Sequence, residues 1–258
     1  MELSDRDLAA LRFIGEGYEV AQYQLHEAVF RERVATAVSR FVVRAKERKL
    51  IVLERQNRVG INRLRLTARA RTLLVDCGIA HVDEIFAPRF AVSAKDLAHT
   101  LWINDLRVAT SHLLPPPDLA LPAWALQRRL QSSPPAIPDL LAIWKETTTR
   151  CGLALGCEVD LGSEGFKVFL PKLGRLLELV ERWSAPSVGL VLVLCRGEHR
   201  GTAIRREMQR QLMNTGHVTL EVEALPKEPG RVSIGRFAAL LGEAIQRASK
   251  WRTSKPCR

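Results

Sequence analysis

The sequence predicts an α+β protein built in two parts, and three observations predict it. The first 75 residues show the patterns of three helices followed by two extended runs. Residues 115–138 contain seven prolines, which neither a continuous helix nor a central strand can accommodate. From Ala136 onward, short apolar strands alternate with longer helical segments, which is typical of a mixed α/β sheet.

The first two helices are indicated by capping and periodicity. Ser4 can cap the first helix with Asp7 three residues on, and apolar residues then follow at helical spacing (Leu8, Leu11, Ile14). The segment AQYQLHEAVF, residues 21–30, also places its small and apolar residues on one face. Both segments are therefore expected to be short amphipathic helices.

The third helix, within residues 34–50, carries arginine at every fourth position. Arg40, Arg44 and Arg48 share one side, and apolar residues (Val34, Val38, Phe41, Ala45) share another. Like charges at this spacing repel by about a few tenths of a kcal/mol per pair. Because the helix gains nothing from that repulsion, the pattern indicates a bound anion. An ordinary solvated basic face is the alternative.

Two extended runs, LIVLE and RLRLT, flank QNRVGIN, where Gly60 and the asparagines favour a turn. Three helices followed by a basic hairpin is the order of a winged helix. The third helix is then expected in the major groove of double-stranded DNA. Arg55, Arg58 and Arg63 on the hairpin, called the wing, are expected to contact phosphates.

Composition supports a polyanionic partner. The chain has 39 Lys and Arg against 28 acids, a net charge of +11. Its aromatic content of 6% leaves few stacking platforms, which disfavours RNA. No apolar run approaches the roughly 20 residues of a membrane span, the start lacks a signal peptide pattern, and five scattered cysteines indicate reduced thiols. A cytoplasmic protein without a membrane partner is expected.

Carboxylates mark the second part. Glu158 and Asp160 are two residues apart in an extended segment, so both side chains leave the same face of the sheet. Asp139 opens the strand just upstream. Three carboxylates at one sheet edge repel unless they are protonated or bind a cation, and oxygen ligands suit Mg²⁺ or Mn²⁺. A solvated sheet edge or a salt bridge is the alternative interpretation of such a pair.

These residues carry a resemblance to known families. Pro138 and Asp139, followed about twenty residues later by Glu-x-Asp, resemble the PD-(D/E)XK, or restriction-endonuclease-like, fold. More narrowly, a basic winged helix, His99 with NDLRV (104–108), PD, and EVDLGSE (158–164) resemble the plasmid replication-relaxation family over roughly residues 4–220. The resemblance implies a nuclease-like mixed-sheet domain and a plasmid or mobile-element context.

The resemblance also implies roles for individual residues. Asp139, Glu158 and Asp160 would hold Mg²⁺ or Mn²⁺, and a lysine on the following helix would replace the lysine of Glu-x-Lys as the fourth catalytic residue. Lys172 or Lys167 could fill that role, and Lys172 matches the family position. His99, Arg107 and Arg205 would contact phosphates. Taken alone, the histidine fits a helix surface or a core, and the two arginines fit surface cations. Leu161 and Ser163 depart from the arginine and threonine usual in this family.

The predicted domains are a winged helix over 1–78, a PD-(D/E)XK nuclease-like α/β domain over 79–246, and a basic tail over 247–258. The predicted function is DNA binding with Mg²⁺-dependent cleavage or nicking, in plasmid or mobile-element replication or mobilisation. The alternative is a non-catalytic DNA-binding adaptor or transcriptional regulator with a degenerate nuclease fold. A protein partner in a replication or mobilisation complex is expected, and the oligomeric state is left open, a homo-oligomer included.

Overall fold

The computed structural model describes residues 3–55, 61–130, 136–145, 152–184, 188–212 and 218–254. It confirms the predicted α+β class, with one antiparallel sheet and one mixed sheet. The chain divides into two compact units, one of Met1–Val108 with Pro229–Val232 and one of Ala109–Glu228 with Ser233–Arg258. None of the helices in these ranges is long and apolar enough to cross a membrane.

The first unit contains an antiparallel sheet and five helices. Its elements are α1 (Asp5–Glu16), β1 (Val20–Ala21), α2 (Gln22–Leu25) with a π-helical turn (His26–Phe30), α3 (Thr36–Glu47), β2 (Ile51–Arg55), β3 (Asn62–Leu66), α4 (Ala68–Asp76) and α5 (Ala94–Ser111), whose last residues belong to the second unit. The strand order is β1-β3-β2, and Leu64 of β3 lies opposite both Val20 and Leu53. The order from α1 to β3, helices followed by a hairpin, agrees with the predicted order, and the winged-helix fold itself stays a prediction.

Local chemistry explains where α1 begins and what it packs against. The Ser4 hydroxyl accepts a bond from the Asp7 amide, and the Asp7 carboxylate accepts one from the Ser4 amide, both 3.2 Å long. Farther along, a Cβ on Gly15 would lie 2.6 Å from the side chain of Ile85, which is fully buried. Glycine is therefore required at this contact between α1 and the segment that follows α4.

The observed division differs from the predicted boundary after residue 78. Ala80 and Ile85 belong to the hydrophobic core of the first unit. Leu97 and Leu101 of α5 pack against Ala21. The first compact unit therefore extends through most of α5, because the residues after α4 complete its core. Which residues fold and bind DNA alone stays a prediction.

The second unit is a five-stranded mixed sheet with helices. Its elements are β4 (Leu119–Pro122), α6 (Ala123–Leu130), β5 (Leu140–Trp144), β6 (Leu153–Asp160), α7 (Phe166–Ser184), β7 (Val188–Cys195), α8 (Glu198–Leu212), β8 (Val218–Ala224) and α9 (Arg231–Ser254), whose first two residues belong to the first unit. The strand order is β4-β5-β6-β7-β8. Strands β4, β5 and β6 pair antiparallel, and β6, β7 and β8 pair parallel.

Burial of the central strands positions the polar end of β6. Every residue of β6 and β7 is buried, as expected for parallel strands covered on both faces. Helices α7 and α8 contribute buried side chains to one cluster with β7, including Phe169, Ile204 and Val193. Because α7 follows β6 and α8 follows β7, both helices begin at the sheet edge where β6 ends, which is where Glu158 and Asp160 lie.

The proline-rich segment forms neither a continuous helix nor a central strand, as predicted, but it contains two short elements. It contains β4, which is an edge strand, and α6. Pro122 ends β4, where a missing amide hydrogen is tolerated. Leu121 and Leu126 are buried together with Leu141 of β5. Residues 131–135 lie outside the described residues.

The predicted basic tail over 247–258 begins inside α9, which continues to Ser254. The Arg247 Nε lies 3.0 Å from Glu221 Oε1 on β8, and its Nη1 lies 3.6 Å from Glu243 Oε2. These ion pairs fasten the start of the expected tail to the second unit. Residues 255–258 lie outside the described residues.

Candidate functional site

The strand register places two of the predicted carboxylates next to each other. Leu140 lies opposite Cys157 in the antiparallel pair of β5 and β6, so Asp139 and Glu158 occupy adjoining positions. Both side chains are buried. The Asp139 Oδ2 also accepts a 2.7 Å bond from the Val159 amide. The start of β5 and the end of β6 therefore bring together two acidic groups in the interior of the sheet edge.

A cation reaches these carboxylates from α7. The Lys172 ammonium forms an ion pair with Glu158 Oε1. Burial lowers the pKa of Lys172, but the charge and hydrogen bond of Glu158, with the charge of Asp139, raise it, and the net shift is upward. Pro171 lies within α7 and does not prevent the contact. Lys172 therefore stays positively charged beside two buried carboxylates.

The third carboxylate, Asp160, meets a different cation. Arg200 at the start of α8 donates from Nε to Asp160 Oδ2 and from Nη2 to the Glu164 carbonyl, the latter at 2.7 Å. The Arg200 guanidinium also lies 4.7 Å from the ring centre of Phe166. Asp160 Oδ1 accepts a 2.9 Å bond from the Gly162 amide. Arg200 therefore connects the loop between β6 and α7 to the start of α8.

These five residues, Asp139, Glu158, Asp160, Lys172 and Arg200, are called the carboxylate site. Among the described residues, no three His, Cys, Asp or Glu side chains form a group that could hold a metal ion. The oxygen chemistry of the carboxylates suits Mg²⁺. In this arrangement Lys172 pairs with Glu158 and Arg200 pairs with Asp160. Binding of a metal ion by the three carboxylates stays a prediction.

In the first unit, the outward face of α3 differs from the predicted arginine stripe. The residues exposed on this face are Thr36, Ser39, Arg40, Val43, Lys46 and Glu47. The Arg40 Nη2 lies 3.2 Å from the Thr36 hydroxyl. Arg44 instead turns toward α1, where its Nη2 lies 2.9 Å from Asp7 Oδ1, and Arg48 is only partly exposed. Of the three predicted arginines, Arg40 thus lies most directly on the outward face.

The wing arginines have different surroundings. Arg55 is exposed at the end of β2, and Arg58 lies outside the described residues. Arg63 is directed into the unit, with Nη1 2.8 Å from Glu19 Oε1 and Nη2 3.1 Å from Glu54 Oε2. Its side chain is only 14% exposed. Arg63 therefore stabilises the hairpin from within in this arrangement and is not presented to a phosphate.

Arg107, a predicted phosphate contact, is buried. It donates to Asn104 Oδ1 at 2.8 Å and to Glu16 Oε2 at 2.9 Å. Burial lowers the pKa of Arg107, and the charge of Glu16 raises it. The Asn104 amide donates to the carbonyls of Gly17 and Glu19. This half of the NDLRV segment therefore fastens α5 to the end of α1.

The neighbouring Asp105 completes this attachment. Its Oδ1 accepts bonds from the Tyr23 hydroxyl at 2.8 Å and from Gln24 Nε2 at 2.6 Å. Its Oδ2 accepts a 3.0 Å bond from the Gly230 amide. One buried carboxylate thus joins α5, α2 and the Pro229–Val232 segment within the first unit.

The remaining predicted phosphate contacts have separate positions. His99 is partly exposed on α5. Arg205 is exposed on α8 and donates from Nη2 to the Val222 carbonyl of β8. It approaches the main chain of the sheet, whereas Arg200 approaches the carboxylate of Asp160.

Comparison with known proteins gives one match. A family model described as Replication-relaxation matches residues 11–192, more than half of the chain. The chain belongs to the replication-relaxation family. No curated protein and no solved structure matches the chain. The family match begins in α1 and ends in β7, so it includes Asp139, Glu158, Asp160 and Lys172 but not Arg200.

Sequence reasoning missed Arg200 as a partner of Asp160. The resemblance to the replication-relaxation family assigns a role to Arg205 and none to Arg200. A usable signal was present: Arg200 lies soon after the apolar strand β7, and residues at that position come to the sheet edge where the parallel strand β6 ends. Arginine at that edge is well placed to meet a carboxylate on β6.

Proposed function

We propose that the protein binds duplex DNA through its first unit and acts in the replication or mobilisation of a plasmid or another mobile element. The observation that carries this proposal is the outward face of α3, which is exposed and has two cations against one acid, Glu47. Arg40 and Lys46 supply charge there, and Val43 is 55% exposed. The opposite face of α3 is held in the core by the buried side chains of Val38, Phe41 and Ala45.

The composition of this face suits a DNA groove. Thr36 and Ser39 offer hydroxyl groups, and Val43 offers an apolar contact for a thymine methyl group. The Gln22 amide donates to Ser39 Oγ at 3.2 Å, and the Asn62 amide donates to Gln22 Oε1 at 2.9 Å. This chain of polar side chains links α3 to β3, so the helix and the wing are presented to a ligand as one surface.

Fluorescence anisotropy with a labelled duplex at several salt concentrations tests the proposal. Replacing Arg40 and Lys46 together by alanine should weaken binding and reduce the slope of log affinity against log salt by up to about two. The buried stripe of α3 is untouched, so the fold should persist. Unchanged affinity and slope would show that this face is only a solvated surface.

A second candidate function is DNA cleavage at the carboxylate site. One observation favours it: the Lys172 ammonium contacts Glu158 and lies within the electrostatic influence of Asp139. A lysine placed there could neutralise charge that builds on a phosphate during hydrolysis. The ion pair of Asp160 with Arg200 supports the other interpretation, a nuclease-like fold used for binding without catalysis.

Nicking of supercoiled plasmid, with and without Mg²⁺ or Mn²⁺, separates these two interpretations. If the site cleaves DNA, Glu158→Gln and Lys172→Met should each abolish nicking, whereas Lys167→Met, an exposed lysine on the same helix, should not. Absence of nicking by the unaltered protein, with DNA binding intact, supports the adaptor.

A further inference from the structure

A groove of about 300 Å³ lies between the start of α1, the end of the π-helical turn and the first half of α3. Its cationic lining consists of Arg6, Arg33, Arg40 and Arg44. Asp7 is the acidic residue that lines it within the described part of the chain. We call this feature the four-arginine groove. Four cations against one anion give its lining a net charge of +3.

The single carboxylate is already engaged by its neighbours. Asp7 caps α1 through the Ser4 amide and accepts a 2.9 Å bond from Arg44 Nη2. Arg6 and Arg33 are exposed and form no ion pair with any described residue. The groove therefore keeps uncompensated positive charge, most of it on Arg6, Arg33 and Arg40.

Clustered guanidinium groups repel one another, and the fold gains nothing from placing them around one groove. An anion removes this repulsion, and the planar guanidinium fork matches the oxygens of a phosphate. The volume of the groove is also large compared with the volume of one water molecule in the liquid, which is about 30 Å³. Val34, 66% exposed, and Ala37 add apolar lining. These dimensions and this lining suit a chain of phosphates and sugars better than a single ion.

We infer that the four-arginine groove holds the phosphodiester backbone of a DNA strand beside the site where α3 meets the duplex. This inference rests on the proposed DNA binding and extends the interface to α1 and to the loop before α3. Arg6 and Arg33 contact phosphates only. Arg40 lines the groove and also lies on the outward face of α3, so it joins the two parts of the interface.

The test is the double variant Arg6→Ala with Arg33→Ala in the full chain, measured by anisotropy with the same labelled duplex. Affinity should fall, and the log–log salt slope should decrease by about two, one unit for each lost phosphate contact. The loss should be similar for duplexes of different sequence, because phosphate contacts carry no base information. The melting temperature should not fall, since neither side chain has a structural partner among the described residues and their removal relieves repulsion in the groove.

The matched control is Arg69→Ala with Arg89→Ala, which removes two exposed arginines of the same unit that do not line the groove. This control should leave the salt slope close to that of the unaltered protein. If both double variants reduce the slope equally, only the general field of the protein matters and the groove assignment is overturned. If the groove variant binds like the unaltered protein, the groove is overturned while DNA binding stands. Absence of duplex binding by the unaltered protein overturns both.

Discussion

At the scale of single residues, the behaviour of the carboxylate site depends on which cation each carboxylate meets. Lys172 reaches Glu158, and Arg200 reaches Asp160. Buried carboxylates are costly without such partners, because burial removes the water that would stabilise their charge. The site is therefore compensated by the protein's own side chains. Changing one of those cations should alter both stability and its dependence on pH.

Lys172→Met should lower the free energy of unfolding by about 2 kcal/mol near neutral pH, because Glu158 then keeps a buried charge without its lysine. The pKa of Lys172 is raised above its ordinary 10.5 in the folded state. Its stabilising contribution is thus complete below pH 10.5 and is lost as the pH rises through the folded-state pKa. Urea unfolding at neutral and alkaline pH measures both effects.

The matched control for Lys172→Met is Lys167→Met, which removes an exposed ammonium from the same helix. That variant should stay within about 0.5 kcal/mol of the unaltered protein and keep its alkaline loss of stability. Equal effects of the two substitutions would contradict a specific contribution from the pair of Lys172 and Glu158.

The cysteine thiols should react at different rates, depending on whether they are buried or exposed. Burial raises the pKa of Cys157, and the charges of Asp139 and Glu158 raise it further. Burial and the charge of Asp160 also raise the pKa of Cys195. Cys77 is exposed. Because the thiolate is the reactive form, a maleimide in mildly alkaline buffer should modify Cys77 well before Cys157 or Cys195. Peptide mapping by mass spectrometry checks this order, and early labelling of Cys157 would contradict it.

At the scale of elements, α5 is attached to the first unit by the polar side chains of the NDLRV segment as well as by its apolar face. Asp105 accepts bonds from Tyr23, Gln24 and Gly230. Burial and the charge of Asp105 raise the pKa of Tyr23, so its hydroxyl remains a donor across the working pH range. This carboxylate joins elements from three separate stretches of sequence.

Tyr23→Phe should lower the free energy of unfolding by about 1 to 2 kcal/mol, because it removes a donor from a buried carboxylate. Tyr18→Phe is the control, since the Tyr18 ring stacks on Phe86 with 4.4 Å between centroids and the substitution keeps that contact. Urea denaturation of both variants gives the comparison. If Tyr23→Phe is no more costly than Tyr18→Phe, the hydroxyl contributes little to the attachment of α5.

The elements that sequence predicted well are those specified by local signals. Ser4 with Asp7 marked the start of α1, and the extended runs LIVLE and RLRLT marked β2 and β3. Elements specified by distant contacts were missed. The proline-rich segment forms β4 and α6 because Leu121 and Leu126 pack against apolar residues of β5. The expected tail became part of α9, where Arg247 meets Glu221.

The same distinction applies to the candidate site. The resemblance to the replication-relaxation family pointed to Lys172 on the helix after β6. The pair of Asp160 and Arg200 spans forty residues and depends on the parallel pairing of β6 with β7, which only the order of strands and helices along the chain could indicate. Arg63 was expected on the wing surface, but Glu19, distant in sequence, holds it inside the unit.

At the scale of the whole molecule, the question is how much chain the first unit needs. The core of the first unit uses Ala80 and Ile85, and α5 adds Leu97 and Leu101. A fragment that ends at residue 78 lacks all four side chains. Fully burying one large aliphatic side chain stabilises a fold by about 1.5 to 3 kcal/mol. Ending at residue 78 therefore removes a large share of a typical domain's net stability.

A fragment of residues 1–112, which includes all of α5, should consequently melt at a higher temperature and more cooperatively than a fragment of residues 1–78. The longer fragment keeps the contact of Ile85 with Gly15. It also keeps the hydrogen bond from Arg107 to Glu16 and the one from the Tyr23 hydroxyl to Asp105. Both fragments lack Gly230, so that loss does not distinguish them. Circular dichroism melting and duplex anisotropy measure folding and binding together. If residues 1–78 melt as high as residues 1–112 and bind equally well, the boundary near residue 78 is correct and α5 belongs functionally to the second part of the chain.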